Sequence, residues 1–249
     1  MDEGEAAAAE PAAEEAAEGS AEPEPDPEPA EAGAHEEQQE AVLEETAAVA
    51  SESSATPTDG WTAYKDTCEY KIDDQGCLTL RPLGGAASAE LDRLYFSHRT
   101  DFTSFKTEGA IAFTGTGKSN GLSLAFMECS KLKTADLSGL VIDGAVDCGG
   151  LFYGCSSLTS AKLPEALRVS DASLMFYGCS KLASADLSGL VTDEAVDASG
   201  LFLYCSSLAS AKLPETLRVS DASSMFYGCH KLASADLSGL ETPGAVDCG

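Results

Sequence analysis

Residues 151–190 read LFYGCSSLTSAKLPEALRVSDASLMFYGCSKLASADLSGL, and the pattern inside this stretch decides the fold. A cysteine returns every 24 or 26 residues, with a phenylalanine three residues before it and leucines three and eight residues after it. The recurring cysteines are Cys129, Cys155, Cys179, Cys205 and Cys229. Self-similarity at this period predicts a solenoid, in which each unit buries its apolar face against its neighbours. Such a fold favours binding through an extended surface over catalysis in a pocket.

The units alternate between two kinds, so the full period is 50 residues. Cys179–Phe202 represents the longer kind and Cys205–Phe226 the shorter kind. In each unit a Leu-x-x-Ala-x-Leu stretch predicts a short strand with alternate residues inward. In the shorter kind we predict a helical turn, with Asp221 as its N-cap and Gly228 as its end. The sequence therefore predicts an α/β solenoid of short parallel strands and helical turns.

Three regions are expected along the chain. Residues 1–59 hold 19 acidic residues, no basic residue and almost no large apolar side chain, which predicts a disordered acidic leader. Residues 60–120 are predicted to form a small β-rich N-terminal cap. Residues 121–249 are predicted to form the solenoid. We expect the solenoid to be truncated at its C-terminus, because the chain stops where a further unit would begin.

The cap contains a predicted β-hairpin, TCEYKIDDQGCLTL (Thr67–Leu80), with Gly76 in the left-handed position of its loop. The predicted cross-strand pairs are Ile72 with Leu78 and Tyr70 with Leu80. This register places Cys68 and Cys77 on opposite faces and argues against a disulfide between them. A further strand is predicted within Ser104–Thr114.

The nine cysteines are predicted to be reduced and structural. The five recurring ones occupy equivalent positions and form an inward-facing ladder, where cysteine packs as a small apolar residue. Cys148 and Cys248 share another position, and Ala198 fills it in the unit between them. A position that accepts alanine is neither a metal ligand nor a catalytic residue, and no zinc-binding spacing is present.

An aspartate also recurs, at Asp147, Asp171, Asp197, Asp221 and Asp247. We interpret these residues as caps of the local backbone. The alternative is calcium binding as in nonapeptide β-roll repeats, but their Gly-Gly-x-Gly-x-Asp pattern is absent.

One segment, Ala112–Ser119, fits a relaxed P-loop pattern with Ala112 in place of the first glycine. The motif needs a long helix after it, whose N-terminal amides hold the phosphates. Asn120 and Gly121 interrupt that position. We therefore interpret the segment as a glycine-rich loop and expect no nucleotide, metal or other cofactor.

The candidate binding surface is the set of side chains that alternate with the inward residues of each strand. We call it the strand face. It comprises Thr134, Asp136, Ser160, Lys162, Ser184, Asp186, Ser210, Lys212, Ser234 and Asp236. Parallel neighbours lie about 4.8 Å apart, so the stack presents a column of hydroxyls beside alternating acidic and basic residues. Alternating charges stabilise neighbouring strands without a ligand, so a purely structural role is the other interpretation.

Charge and hydropathy exclude several classes of function. The formal net charge is −27, which argues against nucleic-acid binding because the chain repels phosphates. No apolar stretch is long enough to span a membrane, and no secretory signal is present. Taken alone, these absences favour a cytoplasmic protein.

The residues 151–190 and the FxxCxxLxxAxL pattern resemble the leucine-rich repeats of BspA-type bacterial surface proteins, over about residues 121–249. The hairpin Thr67–Leu80 resembles the domain that precedes such repeats in surface proteins of Gram-positive bacteria. The resemblance implies a leucine-rich-repeat-like solenoid, a secreted or cell-surface location, no enzyme activity and buried repeat cysteines.

We therefore expect a monomeric, non-enzymatic surface protein that attaches to a protein or glycan ligand. An intracellular scaffold for protein-protein interaction and a passive surface stalk are the alternatives.

Overall fold

The computed structural model describes residues 60–113 and 121–242, which wind through seventeen short strands and one three-residue 3-10 turn, Leu83–Gly85. The strands before the first recurring cysteine are β1 (Thr62–Tyr64), β2 (Cys68–Ile72), β3 (Cys77–Pro82), β4 (Ser88–Leu91), β5 (Ser104–Thr107) and β6 (Ala110–Phe113). The strands of the repeats are β7 (Thr134–Asp136), β8 (Leu140–Ile142), β9 (Val146–Asp147), β10 (Ser160–Lys162), β11 (Leu167–Asp171), β12 (Ser184–Asp186), β13 (Leu190–Val191), β14 (Val196–Asp197), β15 (Ser210–Lys212), β16 (Leu217–Asp221) and β17 (Leu240–Glu241). The predictions for residues 1–59, Thr114–Ser119, Asp247 and Cys248 lie outside the described ranges.

We name the units by their cysteines. The long coils are residues 129–154 and 179–204, and the short coils are residues 155–178 and 205–228. Their strands pair in parallel wherever they pair, as between β7 and β10, between β12 and β15, and between β11 and β13. This confirms the predicted solenoid of stacked parallel strands.

The hairpin of the N-terminal region has the predicted register. Tyr70 pairs with Leu80 and Ile72 pairs with Leu78. Gly76 has a φ of 77°, the left-handed conformation that glycine adopts without a steric penalty. The further strand predicted within Ser104–Thr114 is present as two strands, β5 and β6. Strand β5 joins β3 to β7 in one sheet, so hydrogen bonding is continuous from the hairpin into the first repeat.

The helical turns predicted in the coils are not formed. Residues 223–228 make consecutive turns, in which the Tyr227 amide donates to the Ser224 carbonyl at 3.2 Å. Between these turns, amides of the preceding coil donate across the stack, as Phe202 does to Met225 at 2.9 Å. An α-helix keeps its backbone bonds within the segment, whereas stacked coils share half of theirs with a neighbour. Ser224 has a φ of 52°, which also interrupts a helix.

The core consists of columns of identical side chains that repeat in every coil. The phenylalanine rings stack with centroids 5.4–5.6 Å apart along Phe126, Phe152, Phe176, Phe202 and Phe226. All but the last of these rings are fully buried. Phe96 extends the column into the N-terminal region, 6.0 Å from the ring of Phe126.

The recurring cysteines are buried and free, as predicted. Each thiol donates a hydrogen bond at 3.0–3.3 Å to the carbonyl of a phenylalanine 27–33 residues earlier in the chain. Burial raises the pKa of the Cys205 thiol to about 12, so the donor proton is retained at neutral pH. The cysteine is thus both a small core residue and a hydrogen-bond donor between coils.

Candidate functional site

The steps between consecutive coils differ on the strand face. From a long coil to the short coil after it, the strands are hydrogen-bonded, and the bonding continues where Leu187 donates to Lys212 O at 2.7 Å. We call these the closed steps. From a short coil to the next long coil, no backbone hydrogen bond joins the facing strands in the described residues, as between β10 and β12. We call these the open steps.

The turns after the first strands also differ between the two kinds of coil. A long coil has two residues, Ser188 and Gly189, between Leu187 and Leu190, whereas a short coil has three between Leu163 and Leu167. The third residue lengthens the turn of the short coil relative to that of its long neighbour. Pro164 and Pro214 stand two residues after the last residues of strands β10 and β15, where they offer no amide to continue the ladder.

The strand face has a polar surface, and most of its side chains are exposed. Lys162 lies 3.9 Å from the carboxylate of Asp136, and Lys212 lies 3.8 Å from that of Asp186. Each lysine side chain remains 67% exposed. Both pairs cross closed steps, so the predicted alternating column consists of separate pairs in the described chain.

One part of the predicted strand face departs from expectation. Ser234 and Asp236 are exposed, but they lie in irregular chain and not in a strand. They follow the open step after Lys212, where the backbone bonds that define a strand are not made across the step. The regular part of the strand face therefore extends from Thr134 to Lys212.

The carboxylates of the strand face are held by the turns beside them. Asp136 accepts from the Ser138 hydroxyl at 2.6 Å and from its amide at 3.0 Å, and Asp186 accepts from Ser188 at the same distances. The hydrogen bond from the serine hydroxyl is the largest influence on each carboxyl and lowers the pKa values of Asp136 and Asp186. The serine amides and the nearby lysines act in the same direction. The acidic residues are therefore fixed in position. The lysine side chains are mostly exposed, and Lys212 also donates to the Ser188 hydroxyl at 3.2 Å.

The recurring aspartates cap the local backbone, as predicted. Asp171 accepts from the Ser173 amide at 2.8 Å, and Asp221 accepts from the Ser223 amide at 2.7 Å. Burial raises the pKa of Asp147, although the Gly149 amide donates to it at 2.8 Å. Across residues 60–113 and 121–242, no group of three or more histidine, cysteine, aspartate or glutamate side chains has a metal-binding arrangement.

A row of tyrosines beside the core was missed in the sequence. Tyr153 and Tyr177 stack with centroids 4.3 Å apart, and Tyr177 meets Tyr204 edge to face at 5.7 Å. Tyr227 continues the row from Tyr204 at 5.7 Å. The signal was available, because tyrosine directly follows the recurring phenylalanine in three of the units.

Residues 123–242 match the family model of the BspA type leucine rich repeat region in six copies. This segment is a BspA-type leucine-rich repeat region. The match confirms the resemblance carried by the sequence pattern. Leucine-rich repeats commonly bind proteins and are typically non-catalytic, and BspA-type repeats are often surface-associated.

One solved structure is similar to this chain at low identity. A leucine-rich repeat protein of T. pallidum, known from its crystal structure, is similar over 73% of this chain and 70% of its own, at 18% identity and a TM-score of 0.35. No curated protein matches the chain. No helix within the described residues has the length and apolarity to cross a membrane.

Proposed function

We propose that the repeat region binds a protein or glycan ligand through its strand face, and that the protein acts in attachment at a bacterial cell surface. Protein binding is the common role of leucine-rich repeats. The long axis of the stack offers a periodic surface that suits an extended ligand.

The observation that supports this site most strongly is the loose pairing of its lysines. Lys162 and Lys212 lie 3.8–3.9 Å from their acidic partners and stay 67% exposed. Exposed pairs of this kind contribute about 0–1 kcal/mol, so a ligand displaces them at little cost. The neighbouring serines and threonine have few rotamers, and little side-chain entropy is lost when they are ordered.

The binding test replaces both lysines. The full chain and the variant K162E/K212E are measured by surface plasmon resonance against one immobilised panel of purified proteins and glycans. We expect this variant to lose a ligand that the parent binds, while it stays folded at the assay temperature and its melting temperature falls by only about 1–8 °C. A matched control is K131E/K181E, since Lys131 and Lys181 are exposed, lie outside the strand face, and undergo the same change of charge.

Equal loss of the ligand in both variants would contradict the proposal, because overall charge would then explain binding. A variant K162E/K212E that loses stability and no ligand would favour the passive stalk.

The surface location is tested separately by protease treatment of intact source cells. Trypsin releases Leu213–Arg218, since Lys212 and Arg218 are exposed cleavage sites. We expect this peptide in the supernatant of unlysed cells by mass spectrometry. Its appearance only after lysis would favour an intracellular scaffold.

A further inference from the structure

A pocket of about 280 Å³ opens beside the strand face at the first open step. One wall is the turn of the short coil, residues 161–165, and the other is the turn of the following long coil, residues 186–190. It is therefore built from two consecutive coils whose first strands, β10 and β12, are not bonded to each other, although β11 and β13 of the same coils are paired.

The same step one period later is tighter. A Cβ placed on Gly189 would lie 3.7 Å from the Ala166 nitrogen, whereas one on Gly239 would lie 2.5 Å from the Glu215 carbonyl oxygen. The Leu217 amide also donates to Gly239 O at 2.8 Å there. Glu215 lies in the equivalent turn, which packs closely against the next coil. It therefore serves as an internal control for Glu165.

The floor of the pocket is apolar. Leu187 and Leu190 are buried, Pro164 is buried beside them, and Leu163 is partly buried. A floor of this kind favours the aliphatic part of a ligand side chain, through the removal of apolar surface from water.

The rim carries three charged residues, and two of them are engaged elsewhere. Asp186 is bound by Ser188 and lies near Lys212, while Lys162 pairs with Asp136 in the preceding coil. Glu165 is exposed, and no cation of the described chain lies within ion-pair distance of it. The rim therefore presents one uncompensated carboxylate above an apolar floor.

We propose that this pocket binds an arginine or lysine side chain from an extended basic segment of the ligand. The stem packs on the leucines and the cationic head meets Glu165, the arrangement that long basic side chains favour. This inference rests on the proposed function, since the segment would lie along the strand face.

The test is an NMR titration of the full chain, labelled with nitrogen-15, with an acetylated and amidated peptide Ser-Gly-Arg-Gly-Ser. Its matched control contains citrulline, which keeps the shape of arginine and removes the charge. We expect saturable shifts at the amides of Glu165, Ser188 and Gly189. Binding should weaken roughly twofold to fivefold with citrulline or with Glu165→Gln, as for one partly exposed ion pair.

Glu215→Gln should leave the affinity unchanged, because its turn packs against Gly239. Absence of shifts at the three amides, equal binding of the citrulline peptide, or equal effects of E165Q and E215Q would overturn the pocket assignment. The proposed function would survive that result if K162E/K212E still abolished ligand binding. The opposite outcome is a pocket that binds the arginine peptide while K162E/K212E retains the ligand. That result would exclude the strand face as the ligand-binding surface and leave the pocket assignment in place.

Discussion

The core and the strand face of this solenoid follow different periods. The phenylalanine and cysteine columns are the same in long and short coils, with ring spacings of 5.4–5.6 Å at every step. On the strand face, hydrogen-bonded closed steps alternate with open steps. Each coil therefore carries the residues that stack the core, whereas the pattern of the strand face repeats only every two coils.

Loss of one core ring is the largest effect that we predict. Phe176→Ala removes a buried ring that stacks on both neighbours at 5.4 Å, and should reduce the free energy of unfolding by about 3–5 kcal/mol. Tyr177→Ala removes a half-buried ring outside the core and should reduce the free energy of unfolding less. Its loss consists of about 1 kcal/mol from the ring contacts and the smaller contribution of its half-buried apolar surface. Chemical denaturation compares them, and equal losses would contradict the assignment of stability to the phenylalanine column.

Two glycines separate backbone strain from crowding. Gly200 has a φ of 56°, and a Cβ there would lie 2.6 Å from Leu174 Cδ2, whereas Gly178, with a φ of 67°, has 3.8 Å of space. Gly178→Ala should cost about 1–2 kcal/mol of strain, and Gly200→Ala should add about 1–3 kcal/mol from overpacking. Thermal unfolding of both variants is the measurement.

A matched background checks the cause of the additional cost. In the variant L174A, the nearer of the two leucine side chains that crowd Gly200 is shortened, so most of the excess cost of Gly200→Ala over Gly178→Ala should disappear, although Leu203 Cδ2 remains 3.3 Å from the added Cβ. An unchanged excess on that background would show that Leu174 is not responsible.

Charge reversal on the strand face should have a smaller effect on stability. K162E/K212E replaces two opposite-charge pairs with like charges, and we expect a loss of about 0.5–2 kcal/mol at low salt. The loss should shrink in 1 M sodium chloride, where charges are screened within about 3 Å. K131E/K181E should change stability less, and an effect of K162E/K212E that salt does not alter would exclude electrostatic pairing as its cause.

The smallest predicted effects are pH-dependent and have opposite signs at two aspartates. The pKa of Asp136 is lowered by Ser138, so its ionised form stabilises the fold above the pKa of the unfolded chain, and this contribution is lost as pH falls through the folded pKa. The pKa of Asp147 is raised by burial, so its ionised form is penalised above the folded pKa and the penalty is gone below the unfolded one.

Melting temperatures from about pH 3 to pH 7 test both signs in the range where aspartates titrate. Asp136→Asn should lower the melting temperature at pH 7, and Asp147→Asn should raise it, with both differences diminishing in acid. Two shifts of the same sign at pH 7 would contradict the account.

The sequence predicts the core columns, but it does not predict which steps between coils are hydrogen-bonded on the strand face. Period and side-chain type predict that Phe176 and Cys179 are buried, because equivalent positions in a stack share one environment. The prediction of a helical turn was wrong, because the capping residues Asp221 and Gly228 are equally compatible with turns that share backbone hydrogen bonds with a neighbouring coil. The open steps depend on which neighbouring first strands bond, which the repeat pattern does not encode, and the pocket depends on how closely Gly189 approaches the turn after Leu163.

The strand-face proposal and the pocket both depend on the alternation of closed and open steps, and amide hydrogen exchange of the full chain measures it directly. Leu137 and Leu187 donate across closed steps at 2.8 and 2.7 Å, whereas Leu163 and Leu213 face open steps, where no backbone acceptor is present in the described chain. We predict slow exchange at the first two amides and fast exchange at the other two. Equal protection at all four would contradict the two-coil unit.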